Sequence, residues 1–355
     1  MGLGGQSLQR RGKAIGGGCQ ASTFARIERD LIVKWKKLGV IFNPASVSDR
    51  PSWMQNFAQA PNAIVFDDFV RVYFCCRPLP DEHGQFVSYC AFVDLDRRNL
   101  RRIVGMAKRP VLNLGGLGTF DEFGTYPVSF ARDDKDIVAF YGGWTRCESV
   151  PFNISIGYGR STDGGVTFEK YGTGPVLSHS PNEPFVVTSP KIRRFGGKWV
   201  LAYTAGRKWF YNENGSPEII YKLRIAFSNN GIHWTKVNKD LIPDRVGKDE
   251  AQACPDIIFA HGKYHMFFCY RYGLDFRTNP LRSYRVGYAS SLDLVNWDRD
   301  DTKVDLDITP GDWDSEMIAY PNVLQLDGRT VMFYGGNGNG RSGFGLAELI
   351  DGLPA

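Results

Sequence analysis

Several features are missing from this 355-residue chain, and each absence narrows the reading. It has no apolar run of about 18 residues, so no membrane-spanning helix is expected. Residues 1–24 are rich in Gly, Ser, Gln and Arg and lack the apolar stretch of a secretory signal, so they read as a disordered leader. The seven cysteines are odd in number and irregularly spaced, which argues against a disulfide framework. Cys75, Cys76, Cys90 and Cys269 fall in runs of β-formers, where a thiol serves as a small buried apolar group, and a reducing cytoplasm is the expected location. Of the five histidines only His261 and His265 stand close together. A Gly-Lys turn separates them and both are expected to face solvent, so no metal or other cofactor is expected. The net charge of +5 is mild, and the densest basic run lies in residues 9–13, so nucleic acid is not an expected partner. No segment shows the period of a long amphipathic helix.

What the chain does have is a repeat. Five times a proline opens a short apolar run, followed by a charged or glycine-bearing turn and a second run of β-formers: Pro61–Phe74, Pro127–Tyr141, Pro190–Tyr203, Pro255–Phe268 and Pro321–Tyr334. The prolines are 66, 63, 65 and 66 residues apart, a period that marks one supersecondary unit copied around an axis or along a solenoid. A third β-forming run follows in each copy, beginning near Tyr89, Ile156, Arg224, Arg285 and Gly343. In three copies it leads into a turn closed by an aromatic residue, at Ser161–Phe168, Ser228–Trp234 and Ser290–Trp297. The first fits the Asp-box pattern SxDxGxx-aromatic, in which Asp163 and Gly165 supply the turn and Phe168 pins the hairpin, a structural role.

Four short strands per unit, five units, predict an all-β, five-bladed β-propeller of four-stranded antiparallel blades. A solenoid would use shorter repeats. Inner strands are expected to begin near residues 57, 123, 186, 251 and 317, within one domain spanning 25–355. The fifth unit stops soon after its third strand. Its outer strand is therefore expected from the segment near Ile32 to Phe42, closing the ring by pairing the N- and C-terminal segments. A closed propeller has short edges, and a monomer or small homo-oligomer is expected.

Function is then sought in the central funnel. Counting back five to seven residues from each repeat proline gives Asp121, Glu183, Glu250 and Glu316, together with Asp249 and Asp314. Carboxylates at one phase of the repeat are expected to converge where the chain enters the funnel, and convergence raises one pKa while its neighbour stays ionised. That supplies an acid and a base or nucleophile for glycosyl cleavage. Where each second strand ends stands an arginine: Arg77, Arg146, Arg207, Arg271 and Arg341. Trp144, Trp209 and Tyr270 accompany them, and Asp256 follows the fourth proline. Aromatic faces suit sugar rings and arginine forks suit carboxylate or phosphate, so a sugar or sugar phosphate carrying negative charge is the expected ligand. The competing reading is that these arginines neutralise the carboxylates in structural ion pairs.

The chain resembles the five-bladed propeller glycoside hydrolases, the clan of arabinanases, xylosidases and invertases. It is nearest to glycosidase-like proteins of surface-polysaccharide gene clusters. The resemblance rests on Trp35–Pro44, Gly118–Pro127, Asn182–Pro190, Asp249–Ala251, Trp313–Pro321 and Gly335–Gly340. It implies a carbohydrate-active enzyme. In arabinanase-type enzymes an Asp precedes the first and third repeat prolines and a Glu stands two before the fourth, whereas this chain has Ala60, Ser189 and Ala253 there. Catalysis would then fall to the displaced set, with Glu250 as general acid, Glu316 or Asp121 as base or nucleophile, and Glu183 tuning them. A glycan-binding propeller without catalysis and a glycoside phosphorylase are the alternatives.

Overall fold

A computed structural model describes Met1, residues 32–351 and Leu353. The expected leader, residues 1–24, lies outside the described residues apart from Met1. Residues 31–355 form the compact unit considered below.

Five antiparallel sheets make five blades. Blade 1 comprises Asn56–Val65, Phe69–Arg77, Tyr89–Asp96 and Ile103–Met106, and blade 2 Gly124–Asp133, Asp136–Thr145, Asn153–Ser161 and Glu169–Lys170. Blade 3 comprises Val187–Phe195, Lys198–Tyr211, Pro217–Ser228 and Thr235–Lys236, and blade 4 Ala251–Ala260, Lys263–Arg271, Arg285–Ser291 and Trp297–Arg299. Blade 5 has Ala319–Leu326, Arg329–Gly335 and Phe344–Leu349, and its fourth strand is Val33–Phe42 from the other end of the chain. Beyond that strand Val304–Asp305 adds a short parallel one. Among the described residues no helix is long and apolar enough to cross a membrane.

The local causes are visible in the turns. Inner and second strands of blades 3, 4 and 5 are joined by two-residue hairpins with positive φ at both positions: Gly196-Gly197, His261-Gly262 and Asp327-Gly328. Such turns match the right-handed twist of the strands they join. His265, expected in solvent, is instead buried in blade 4, with Nδ1 2.7 Å from the Tyr288 hydroxyl and Nε2 3.1 Å from the Ala260 carbonyl. Period-2 alternation places it on a covered face once a neighbouring blade packs there. The box at Ser161 closes as its pattern requires, with Asp163 Oδ1 accepting from the Ser161 hydroxyl at 2.6 Å and from the amides of Val166 and Thr167 at 3.0 Å.

Each repeat proline interrupts the ladder of its inner strand, because it has no N–H to give. The pairing register shifts at all five, and the residue before the proline takes positive φ at Ala60, Ser189, Cys254 and Tyr320; at Tyr126 the bond to Pro127 is cis. Just past the prolines, side chains bond to the next blade's inner strand. Asn62 Oδ1 accepts from the Phe130 amide at 2.9 Å, Ser129 Oγ from Ile192 at 3.0 Å, Asp256 Oδ2 from Val323 at 2.7 Å and Asn322 Oδ1 from Ala63 at 2.8 Å. Between blades 3 and 4 Arg193 does the same work, donating to the Ile257 carbonyl at 3.0 Å and pairing with Asp256 at 2.5 Å. This belt holds the inner strands in a ring and fixes what lies above it.

Candidate functional site

One cavity of about 940 Å³ draws its walls from all five blades. Its floor is made where the bulges turn the pre-proline residues inward: Tyr126, Ser189 and Tyr320 line it, and Ala60 and Cys254 pack beside Tyr320. The Tyr126 and Tyr320 hydroxyls are 2.8 Å apart, the hydroxyls of Tyr221 and Tyr284 form a second such pair, and Arg271 Nε donates to Tyr284 at 3.2 Å. Burial pushes the phenols of Tyr126, Tyr284 and Tyr320 far above their ordinary value, so they stay protonated.

Two arginines face this space without a carboxylate. Arg77 stacks its guanidinium over Phe57 at 4.7 Å, Phe86 at 5.3 Å and Trp144 at 5.6 Å; its Nε is buried and has no hydrogen-bond partner among the described residues. Burial pulls its pKa down, and Arg341, whose guanidinium lies 5.3 Å from the same Phe57 ring, adds to that shift. Arg341 also has no carboxylate partner among the described residues. A third wall arginine, Arg277, is held by Glu218 at 2.8 Å. Gln59 and Thr188 line the same cavity, and each buries an oxygen with no hydrogen-bond partner among the described residues. Near Ser189, Lys191 is fully enclosed, its Nζ has no hydrogen-bond partner among the described residues, and burial lowers its pKa.

The expected carboxylates do not converge here. Only Glu316 lines the cavity, exposed, with its amide held by Asn337 Oδ1 at 2.7 Å. Asp121, Glu183 and Glu250 turn the other way, into the body of their own blades, and Asp314 joins them. Asp121 accepts from the Tyr141 hydroxyl at 2.9 Å and pairs with Lys170 at 2.5 Å. Glu183 accepts from Tyr203 at 2.8 Å and pairs with Lys236 at 2.5 Å. Asp314 accepts from Tyr334 at 3.2 Å and pairs with Lys37 at 2.6 Å. Glu250 pairs with Arg299 at 2.6 Å and accepts from the amides of Arg245 at 2.7 Å and Val246 at 3.0 Å. In every case the cation comes from the fourth strand of the same blade, so the carboxylate latches the funnel-side loop to the outer strand. Blade 1 has apolar groups instead: Met54 of the loop is buried in the core, and Met106 of the outer strand packs against the same core.

The other expected residues divide in the same way. Trp144 is in the cavity wall. Arg271 is buried behind it, 3.5 Å from the Phe276 ring centre, with its NH groups on the carbonyls of Tyr272 and Ile219. Arg146 points to Asp81 at 3.4 Å, and Arg207 to Asp240 at 2.7 Å, so neither joins an arginine ring. Asp249 pairs with Lys208 at 2.6 Å on the surface, and Asp256 belongs to the inner belt. Tyr270 packs under Arg299 at 4.7 Å, its phenol pushed up to about 12 by burial. Trp209 stands just outside the cavity against Phe152. The floor tyrosines and Arg277 were missed. Tyr126 and Tyr320 carried a usable signal, since they occupy the pre-proline phase that bears carboxylates in the arabinanase-type pattern.

No family model matches the chain. Uncharacterized proteins of two Mycobacterium tuberculosis strains, CDC 1551 and H37Rv, are each 33% identical to it over 317 residues, 89% of this chain and 99% of theirs. Among solved structures, a glycosyl hydrolase from Bacteroides ovatus has a TM-score of 0.67 at 15% identity, covering 91% of this chain and 96% of that one. A structure from the GH130 family of mannoside phosphorylases, which contains glycoside hydrolases that target β-1,2 mannosidic linkages, has a TM-score of 0.64 at 14% identity, covering 91% and 98%. At those identities the likeness is one of fold. The chain belongs to the family of the uncharacterized Mycobacterium tuberculosis proteins, and its fold is the five-bladed propeller of the glycoside hydrolases.

Proposed function

We propose that the protein is a carbohydrate-active enzyme that cleaves or transfers a glycosyl unit of a sugar bearing a carboxylate or phosphate. The observation that carries this reading is the pair of cavity guanidiniums, Arg77 and Arg341, with no carboxylate of their own. Two like charges over one ring repel, and an anion between them relieves the repulsion while gaining bidentate hydrogen bonds. Phe57, Phe86 and Trp144 would carry the apolar face of the sugar, and the tyrosine hydroxyls of the floor would meet its hydroxyl groups. Glu316 is the acid/base residue in this reading. It replaces Glu250, whose oxygens are already engaged by Arg299 and two backbone amides. Asp121 and Glu183 have a holding role for the same reason.

A lone carboxylate favours one mechanism over another. Hydrolysis by two carboxylates needs a second group within about 5 to 9.5 Å to attack or to activate water, and among the described residues no other Asp or Glu lines this cavity. In phosphorolysis the nucleophile brings its own charge. In that alternative the anion between Arg77 and Arg341 would be the attacking phosphate itself and not a group on the sugar: one of its oxygens would bond to the anomeric carbon, the glycosidic C–O bond would break, and Glu316 would pass a proton to the departing oxygen. The unpaired cysteines suit a reducing compartment, where phosphate and sugar phosphates are at hand.

The test is turnover of uronic acid and phosphosugar glycosides, with and without inorganic phosphate, by the native protein and Glu316→Gln. Loss of turnover by about 10² to 10⁴ with affinity kept within a few-fold supports the acid/base role. Release of a sugar phosphate only when phosphate is present selects phosphorolysis. Binding without turnover on every glycoside would leave a glycan-binding propeller instead.

A further inference from the structure

The cavity walls are not alike on all sides. The second and third strands of blade 3 run 14 and 12 residues, whereas the second strands of the other blades have 9, 10, 9 and 7. The extra length carries Trp209 and Tyr211 past the cavity, on the side opposite the guanidinium pair of blades 1 and 5. From the cavity outward the aromatic rings are continuous. Trp144 stacks on Phe152 at 4.9 Å with 28° between planes, and Phe152 meets Trp209 edge-on at 5.6 Å and 69°. Trp144 and Phe152 are cavity wall; Trp209 lies next in line and is half-buried.

Among the described residues three indoles are tied through the ring N–H, whereas Trp209, like the core residue Trp35, is not. Trp144 donates its ring N–H to the Tyr126 carbonyl at 2.7 Å, Trp234 to Gly231 at 3.1 Å and Trp297 to Leu294 at 2.9 Å. Trp209 makes no such bond among the described residues. Beneath the same hairpin lies an annex of about 410 Å³ that shares Pro151, Phe276 and Arg277 with the main cavity. Its ionisable lining is otherwise acidic, Glu213, Glu218 and Asp275, and its one arginine is already engaged by Glu218 at 2.8 Å. An anion would be repelled there, while the hydroxyls of an uncharged sugar would find acceptors and an aromatic face.

We infer that the Phe152–Trp209 side and its annex form a second subsite for uncharged sugar units, so the substrate is an oligosaccharide lying across the site in one direction. Its anionic unit rests on Arg77 and Arg341, and its neutral units run over Phe152 and Trp209 toward the blade 3 hairpin. This rests on the anionic-sugar reading of the main cavity.

Calorimetric titration separates the two. The probes are uronic acid and sugar phosphate monosaccharides, each beside oligosaccharides of two to four units in which the same anionic sugar is followed by neutral hexoses. The inference predicts that affinity rises by about tenfold or more with length, the effect of one or two good aromatic contacts. Trp209→Ala should erase that gain while leaving the monosaccharide affinity unchanged, and Trp209→Phe should restore most of it. Arg77→Met should weaken monosaccharide and oligosaccharide alike. If the probes bind with no dependence on length, or if Trp209→Ala weakens the monosaccharide equally, the second subsite is wrong and the anion site stands. If no probe binds, the anion site itself fails and the subsite with it.

Discussion

The buried carboxylates of blades 2 to 5 precede the inner strands and the cavity arginines Arg77 and Arg341 stand at or after the ends of second strands, yet their electrostatic settings are opposite. Asp121, Glu183, Glu250 and Asp314 are each held by a cation from the fourth strand of their own blade. Arg77 and Arg341 have only aromatic faces and each other. Charge that is matched inside a blade serves to hold the blade together. Charge left unmatched at the axis is available to a ligand: Arg77 and Arg341 line the cavity with no ion-pair partner among the described residues, and so does the exposed carboxylate of Glu316.

Breaking a matched pair should have the largest effect. Arg299→Met leaves Glu250 buried without its cation and should cost about 3 to 5 kcal/mol in urea unfolding. The double variant Glu250→Met, Arg299→Met should recover most of that, because a buried ion pair can be replaced by apolar side chains of similar volume, and blade 1 carries the apolar Met54 and Met106 in its own loop and outer strand. Breaking an unmatched charge should do the reverse. Arg77→Met should weaken an anionic ligand by about 2 to 5 kcal/mol while leaving the unfolding midpoint unchanged or higher.

Lys191 sharpens the contrast through pH. Burial lowers its folded pKa below the ordinary 10.5, so the unfolded chain binds more protons between those two values and stability should rise with pH across that window. Lys191→Met should remove the rise and add about 1 kcal/mol at neutral pH, the desolvation cost of an unsatisfied group. The smallest effect belongs to the exposed turn. Asp163 feels burial pushing its pKa up, but hydrogen bonds from Ser161, Thr167 and Val166 outweigh it and leave it at about 2, against an ordinary 3.8. Its contribution is complete above about pH 4 and is lost as pH falls through 2, so Asp163→Asn should flatten acid unfolding only in that interval.

Much of the ring was legible in the sequence because its signals are local. The repeat prolines mark the bulges, Gly262 and Gly328 mark the hairpins, and the early end of the fifth unit called for a strand near Ile32 to Phe42. The phase of the carboxylates was legible too, but not their direction, which depends on where the nearest cation sits. That cation had a signal of its own. Lys37, Lys170, Lys236 and Arg299 each stand two residues after an aromatic that closes a turn or opens the outer strand: Trp35, Phe168, Trp234 and Trp297. Read together, the two phases describe a latch rather than a catalytic floor. Which arginines stay unpaired was not legible, because Asp81 and Asp240, which occupy Arg146 and Arg207, lie in loops with no repeat phase.

The most direct measurement is an anomalous difference map from crystals soaked in selenate, a tetrahedral dianion that stands in for phosphate or a sugar acid. The account predicts its strongest peak in the central cavity between the Arg77 and Arg341 guanidiniums, above Phe57, and the loss of that peak in Arg77→Met. A map with its strongest peak at Arg146 or Arg207 and none between Arg77 and Arg341 would contradict the assignment of unmatched charge to ligand binding.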